Sequence, residues 1–275
     1  MFSLGTIGAG HMGMAVLEAI VAHSSIEASD VLVYELNHER RREAKVHGFA
    51  AAGSEYEVFV NTKLLLLAVP PQNCEELLVK LSKYAANQDN TENSKSDIPV
   101  IISIMAGISS GYIRNYLGSD TPVINLMPTM GMKVGQGAAA IAHTDNVPDD
   151  VLKLIMQVLS ATGEALVIQE SLLKEIVAVG GCMPGYAFYI IDAFARAAQE
   201  RGIDYRMAVR MIARGFMGSA AQILEGNDPN ILLSQVCTPG GLTAKGIESF
   251  EKDEVDEYLK KCMVSSILRG YELAK

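Results

Sequence analysis

The chain has 275 residues, 49% of them hydrophobic and 20% charged, with 24 glycines, 13 methionines and no tryptophan. That balance supports one large or two modest apolar cores and excludes a disordered polymer. A formal net charge of −9 excludes nucleic acid or an anionic membrane as the main partner, because polyanions are bound by clustered cations. In chain order, Phe2–Ile7 is a short apolar strand that runs into glycines, and Met12–Ala22 then carries helical spacing. Asp30–Tyr34 alternates as a second strand, Glu39–His47 is a charged helix, and Phe49–Ala51 is a third strand. Leu64–Val69 is apolar throughout, as a strand covered on both faces must be. An amphipathic helix over Glu75–Tyr84 precedes a polar run, Asn87–Asp97, which lacks apolar periodicity and reads as a solvated loop. Strand Val100–Ile104, helix Tyr112–Leu117 and strand Pro122–Leu126 follow. Strands Gly137–Ala142 and Ala165–Ile168, with helix Asp149–Ser160 between them, complete the sheet. Strands alternating with helices predict an α/β fold with a parallel, doubly wound sheet, a Rossmann domain over residues 1–168.

From residue 169 the periodicity is helical only, which predicts a second, all-helical domain over 169–275. Pro184–Arg201 ends at Gly202, and Tyr205–Leu224 starts behind Asp204 as its cap and closes at Gly226. Pro229 behind Asp228 starts another helix, and helices over Thr243–Lys252 and Glu254–Glu272 finish the domain. Phe188, Ile191 and Phe194, with Met207, Met211, Ile212 and Phe216, fall at helical spacing and are expected to form its core. So few helices make a thin domain, so a symmetry mate is expected to cover the remaining apolar stripe in a homodimer.

Cys74, Cys182, Cys237 and Cys262 lie far apart with no Cys-x-x-Cys pair, which fits a reducing compartment and implies no metal site. The first strand begins at residue 2, so no secretory leader is expected. The longest aliphatic run, Leu64–Val69, falls far short of the roughly 20 residues that span a bilayer. A cytoplasmic enzyme with no membrane partner is the expectation.

Gly8-Ala9-Gly10-His11-Met12-Gly13 is a G-x-G-x-x-G directly after a strand and directly before a helix. Glycines there tighten the turn, let a pyrophosphate approach the backbone, and let helix pack on strand, while the helix N-terminus offers N–H groups to the phosphates. Glu35 closes the second strand, where a carboxylate accepts from ribose hydroxyls and repels a 2′-phosphate, favouring NAD over NADP. Arg40, Arg41 and Arg42 point the other way if they meet a phosphate; as a charge run they read as the solvated face of their helix. NADH or NADPH is the expected cofactor, with NAD preferred. His11 shapes the turn. A Pro-Gly-Gly turn at Pro239–Gly241, leading into a helix, can capture an anion on its backbone or be only a turn, and Thr238 can be a cap.

Taken together, Gly8–Gly13, Ala68-Val69-Pro70-Pro71-Gln72, Ile102–Ile108 with its Ser-Ile-Met-Ala-Gly-Ile end, Met127-Pro128, and Val236-Cys237-Thr238-Pro239-Gly240-Gly241-Leu242-Thr243 resemble the pyrroline-5-carboxylate reductases in order and spacing. The resemblance covers essentially the whole chain. It implies a Rossmann domain and a helical domain that interleaves with a partner's in a dimer, often assembled into larger rings. The implied reaction passes hydride from the nicotinamide to the C=N carbon of 1-pyrroline-5-carboxylate, giving L-proline, with the reacting atoms within about 3–3.5 Å. The resemblance further implies catalytic roles for Thr243 and Thr238 and a substrate site at Gly240, Gly241 and Thr243. It assigns the cofactor to Gly8, Gly10, His11, Met12, Gly13, Glu35, Ala68, Val69, Pro71, Ala106 and Gly107.

The substrate half departs from the family pattern. Ser-Gly-Ser-Gly-Pro-Ala-Tyr is here Gly180-Gly181-Cys182-Met183-Pro184-Gly185-Tyr186, Arg-x-Met-Pro-Asn is Asn125-Leu126-Met127-Pro128-Thr129, and Pro70 stands for a lysine. Those losses leave two alternatives beside the proline reaction: reduction of a related imine, or a non-catalytic nucleotide-binding relative. Cys182 is read as a buried small thiol. Lys174 precedes Gly180-Gly181 where hydroxyacid dehydrogenases place their acid after such a pair, which disfavours that chemistry.

Overall fold

The computed structural model describes residues 1–88 and 98–273. Its sheet is built from β1 (Phe2–Ile7), β2 (Val31–Tyr34), β3 (Ala50–Ala51), β4 (Thr62–Leu67), β5 (Val100–Ser103), β6 (Val123–Pro128), β7 (Gly137–His143) and β8 (Gly163–Val167). Helices α1 (His11–His23), α2 (His38–Val46), α3 (Glu55–Asn61), α4 (Cys74–Gln88), α5 (Ser110–Leu117) and α6 (Asp149–Ala161) connect the strands. The strand order β3-β2-β1-β4-β5-β6-β7-β8 reverses between β1 and β4, the switch point at which such sheets bind ligands beyond their carboxyl ends.

Alternation along each strand sorts the core into two layers. Leu64 and Leu66 join Val31, Val33 and Ile102 beneath α1 and α6. Leu65 and Leu67 join Leu32, Ile101 and the side chains of α3, α4 and α5 on the opposite face. Both faces are covered, so the β4 run is apolar without a break.

Two sequence-based expectations change here. The sheet is not wholly parallel: β7 runs antiparallel to β6, and β8 follows β7 in parallel. The β6–β7 connection is a single 3-10 turn, Met130–Val134, too short for the crossover that a parallel pair needs. α3 went unread because its seven residues are fewer than an apolar period needs to register. The polar run Asn87–Asp97 lies outside the described residues, apart from Asn87 and Gln88, which end α4.

The chain separates into two compact units, Met1–Gly181 with Ile267–Lys275, and Cys182–Ser266. This division falls after the change of period at residue 169, because a 3-10 turn (Glu170–Leu172), α7 (Leu173–Ile176) and a π-helical turn (Val177–Gly181) stay with the first unit. The second unit holds α8 (Met183–Gln199), α9 (Tyr205–Leu224), α10 (Pro229–Val236), α11 (Leu242–Lys252) and the start of α12 (Val255–Leu273). Its helix starts follow the local code: Asp204 accepts from Met207 N–H, and Asp228 from Asn230 and Ile231. Asp192 joins α8 to α9 by accepting from Tyr205 Oη at 2.6 Å and Arg196 Nε at 2.7 Å.

The expected helical core is the principal correction. Phe188 is 70% exposed, Met211 71% and Met207 56%, and Phe194 and Phe216 also face outward, so among the described residues only Ala195 and Ala208 of this unit are buried. A related correction concerns length. The run Glu170–Gln199 is long and apolar enough to cross a membrane by size and composition, which the longest aliphatic run, Leu64–Val69, did not signal. It passes because one helix follows another with only a π turn between them.

Candidate dinucleotide cleft and substrate turn

The three loop glycines do three different jobs. Gly8 has φ +95, and a Cβ there would lie 2.6 Å from the Ala68 carbonyl oxygen, so the turn closes only on glycine. Its N–H donates to Tyr34 O at 2.9 Å, and Thr6 Oγ1 donates to its carbonyl at 2.9 Å. At Gly13 a Cβ would come within 3.0 Å of Ala68 Cβ and 3.1 Å of Gly8 O, so the missing side chain lets α1 pack on the strand. Gly10 differs: the nearest atom to a Cβ would be Arg40 Nη1 at 3.6 Å. The protein itself leaves room for a side chain there, and the open space is what an approaching pyrophosphate requires. Gly10 also starts α1 without any side-chain cap, so the N–H groups behind it suit an anion. The residues present fit a dinucleotide.

The cleft above this loop has a volume of about 540 Å³. Gly8, Gly10, Met12, Gly13, Glu35, Ala68 and Val69 line it as expected, whereas His11, Pro71, Ala106 and Gly107 are not among its walls. Sequence reasoning missed Tyr34, Glu55, Lys80 and Ile104 as walls, and read Arg40, which also lines the cleft, as part of a solvated face. Lys80 sits 3.2 Å from Glu55 and 3.0 Å from Glu76, and those carboxylates hold its ammonium above the usual lysine range. Burial first, and then the Glu55 charge, raise the Tyr34 hydroxyl. Only Glu55's place on the unread α3 hid this pair.

Glu35 is buried, and both its oxygens are in use: Oε2 accepts from Ala9 N–H at 2.6 Å and Oε1 from Asn37 N–H at 2.8 Å. Its carboxylate therefore fastens the glycine loop to the start of α2. The arginines are not simply a solvated face. Arg41 donates from Nε and Nη2 to the Glu35 carbonyl at 3.0 and 2.7 Å. Arg40 lines the cleft and has no ion-pair partner among the described residues.

In the second unit, Gly240 has φ +73 and Gly241 N–H donates to Thr238 O at 2.8 Å, closing the Pro-Gly-Gly turn. A Cβ on Gly241 would fall 2.9 Å from Thr238 O, so this glycine too is required. Gly241 begins α11 with no side-chain cap, which leaves Thr238 free of the capping role considered for it. Thr238 and Thr243 are both exposed around that helix start.

Two departures from the family pattern have structural employment. Thr129 Oγ1 accepts from Ala138 N–H at 2.9 Å, bracing the β6–β7 connection. Asn125, 1% exposed, donates from Nδ2 to Glu170 Oε1 at 2.7 Å. The thiol of Cys182 is free and half-buried, not fully buried as expected. No group of side chains suited to a metal ion occurs among the described residues.

Comparison with known proteins fits this division of labour. Residues 3–107 match the family described as NADP oxidoreductase coenzyme F420-dependent, and residues 170–273 match pyrroline-5-carboxylate reductase dimerisation. The solved pyrroline carboxylate reductase of Plasmodium falciparum, with NADP bound, superposes with a TM-score of 0.86 at 20% identity, covering 100% of this chain and 98% of that one. The Streptococcus pyogenes 1-pyrroline-5-carboxylate reductase gives 0.86 at 22% identity, with 98% of each chain covered. Among curated relatives, the pyrroline-5-carboxylate reductase of Escherichia coli is 30% identical over 96% of both chains. That of Aquifex aeolicus is 30% identical over 94% of this chain and 93% of its own. By this near full-length similarity, together with the glycine loop and the Pro-Gly-Gly turn, the chain belongs to the pyrroline-5-carboxylate reductase family.

Proposed function

We propose that the protein reduces 1-pyrroline-5-carboxylate to L-proline with NADH or NADPH, working as a homodimer in the cytoplasm. The observation that carries this reading is a pair of helix starts, α1 behind Gly10 and α11 behind Gly241, that no side chain caps. The reaction brings two anions, the dinucleotide phosphates and the substrate carboxylate, and uncapped helix starts receive anions. When bound, a reduced nicotinamide supplies the hydride that the C=N carbon accepts. The backbone of Gly8–Gly13 holds the pyrophosphate, and Ala68, Val69 and Ile104 wall the cleft against water. The Pro239–Gly241 turn orients the substrate carboxylate, and the Thr243 and Thr238 hydroxyls meet the substrate at its ring nitrogen or carboxylate. The test is nucleotide oxidation on mixing the protein with the imine, run with each nucleotide in parallel. Turnover with at least one is expected, and none with either would end the proposal; binding without turnover would favour a non-catalytic relative.

On cofactor choice, the engagement of Glu35 with two backbone amides weakens the sequence-based preference for NAD. Arg40, unpaired at the cleft, can neutralise a 2′-phosphate. We expect both nucleotides to serve, and Arg40→Ala to raise KM for NADPH about tenfold, the scale of one charge-assisted contact at a surface, while changing KM for NADH little. Equal changes for both nucleotides would remove Arg40 from the choice.

Outward apolar side chains on α8 and α9 support the dimer: a second copy of the same face is the partner that covers them. Larger rings follow from the family resemblance alone.

A further inference from the structure

We propose that Glu170 is a positioning residue for hydride transfer, acting through Ser110 and Asn125 to fix the loop between β5 and α5. The proposal rests on the reductase reading above and adds to it a residue that is not among the walls of the cleft.

Glu170 opens the 3-10 turn by which the chain leaves the sheet. Its carboxylate nevertheless reaches back across the sheet. Oε1 accepts the backbone N–H of Ser110 at 2.5 Å and Asn125 Nδ2 at 2.7 Å, while Oε2 accepts the Ser110 hydroxyl at 2.7 Å. Both oxygens thus grip one residue, the first of α5, where a negative charge also meets the positive end of the helix. The hold on Asn125 has a second effect. With Nδ2 turned to Glu170, the buried Asn125 Oδ1 is left without a partner, an arrangement that is costly unless the amide is needed in that orientation.

What these contacts enclose is the segment Ile104–Ser109. At its start, Ser103 Oγ accepts Met105 N–H at 3.3 Å, and Ile104 N–H donates to Leu67 O at 3.1 Å. At its end stands Ser110 in the grip of Glu170. Ile104 is a wall of the dinucleotide cleft, and Gly107 has φ +79, a backbone state that needs outside support to stay fixed. The far side of the cleft, at Gly8–Gly13 and Glu35, is fastened by its own hydrogen bonds and does not involve Glu170. The glycine loop accordingly anchors the cofactor, and Glu170 sets the height of the wall beside its reactive end. Misplacement by about 1 Å at such a point costs on the order of a hundredfold in rate.

The experiment compares wild type, Glu170→Ala, Glu170→Gln and Ser110→Ala with the pyrroline carboxylate and nucleotide deuterated at the transferred position. Glu170→Ala should lower kcat by about 30- to 100-fold and raise the isotope effect, with nucleotide affinity held within about threefold. Glutamine can still accept from Ser110 N–H and Asn125 and pair with the Ser110 hydroxyl, so Glu170→Gln should recover most of the rate. Ser110→Ala, which removes the hydroxyl alone, should fall between them and guards against an unstable alanine variant at 170. An unchanged kcat and isotope effect in folded Glu170→Ala would overturn the proposal, as would a loss of nucleotide affinity equal to the loss of rate. If wild type itself does not turn over, the reductase reading fails, and hydrogen exchange of residues 104–110 with nucleotide bound decides the clamp separately. Faster exchange in Glu170→Ala supports it, and unchanged protection sinks it.

Discussion

Gly10→Val abolishes dinucleotide binding while leaving the protein folded. A Cβ at this position makes no close contact with the rest of the protein, the nearest atom being Arg40 Nη1 at 3.6 Å. The backbone there is extended, φ −68 and ψ 178, which a β-branched residue tolerates. The added methyl groups stand where the pyrophosphate must approach α1, so affinity for both nucleotides should fall at least about a hundredfold, a loss of roughly 3 kcal/mol. Gly8→Val behaves differently. Its Cβ would lie 2.6 Å from Ala68 O at φ +95, so that variant loses thermal stability as well as binding. Titration of each nucleotide by intrinsic nicotinamide fluorescence, paired with thermal unfolding, separates the two cases. Wild-type affinity in Gly10→Val would mean that the cofactor does not cross this loop.

The double variant Phe188→Asp, Met211→Asp is expected to be monomeric. Both side chains are more than two-thirds exposed in the single chain, at 70% and 71%, and they lie on α8 and α9 of a unit with almost no buried side chains of its own. A face of that kind is stable only when covered. Truncating or charging central apolar contacts of an interface costs on the order of 2–4 kcal/mol at each site, so dimer affinity should weaken by about a thousandfold or more. Light scattering behind size exclusion reads the mass, and circular dichroism reads whether the helices survive separation. A dimer of unchanged affinity would place the interface elsewhere.

Much of the first unit is legible in the sequence. The β4 leucines announced a strand covered on both faces, G-x-G-x-x-G placed the turn, and Asp204 and Asp228 marked two helix starts. These signals are local, because a cap, a tight turn or an alternation is decided within a few residues. The reversal of β7 was less accessible. It depends on how little chain joins β6 to β7, and the sequence records that length without saying which way the next strand pairs.

The candidate site divides along the same line. Residue type and spacing identified the glycine loop and the Pro-Gly-Gly turn, whose demands are steric and backbone-borne. They placed Glu35 at the cleft and read the arginines as solvated; the fold adds that Glu35 also holds Ala9 and Asn37, and it puts Arg41 on the Glu35 carbonyl. They gave no role to Glu170, whose partners Ser110 and Asn125 lie 60 and 45 residues away.

By itself, then, the sequence determined the Rossmann unit, its phosphate-binding bend and the all-helical character of the remainder, since each is written in short-range periodicity and backbone sterics. Tertiary structure alone decided the strand reversal at the sheet's far edge, the use of each charged side chain, and that the helical unit turns its large apolar residues outward. Those outcomes depend on which distant atoms meet, and helical spacing marks a stripe as apolar without saying whether the same chain or another copy covers it.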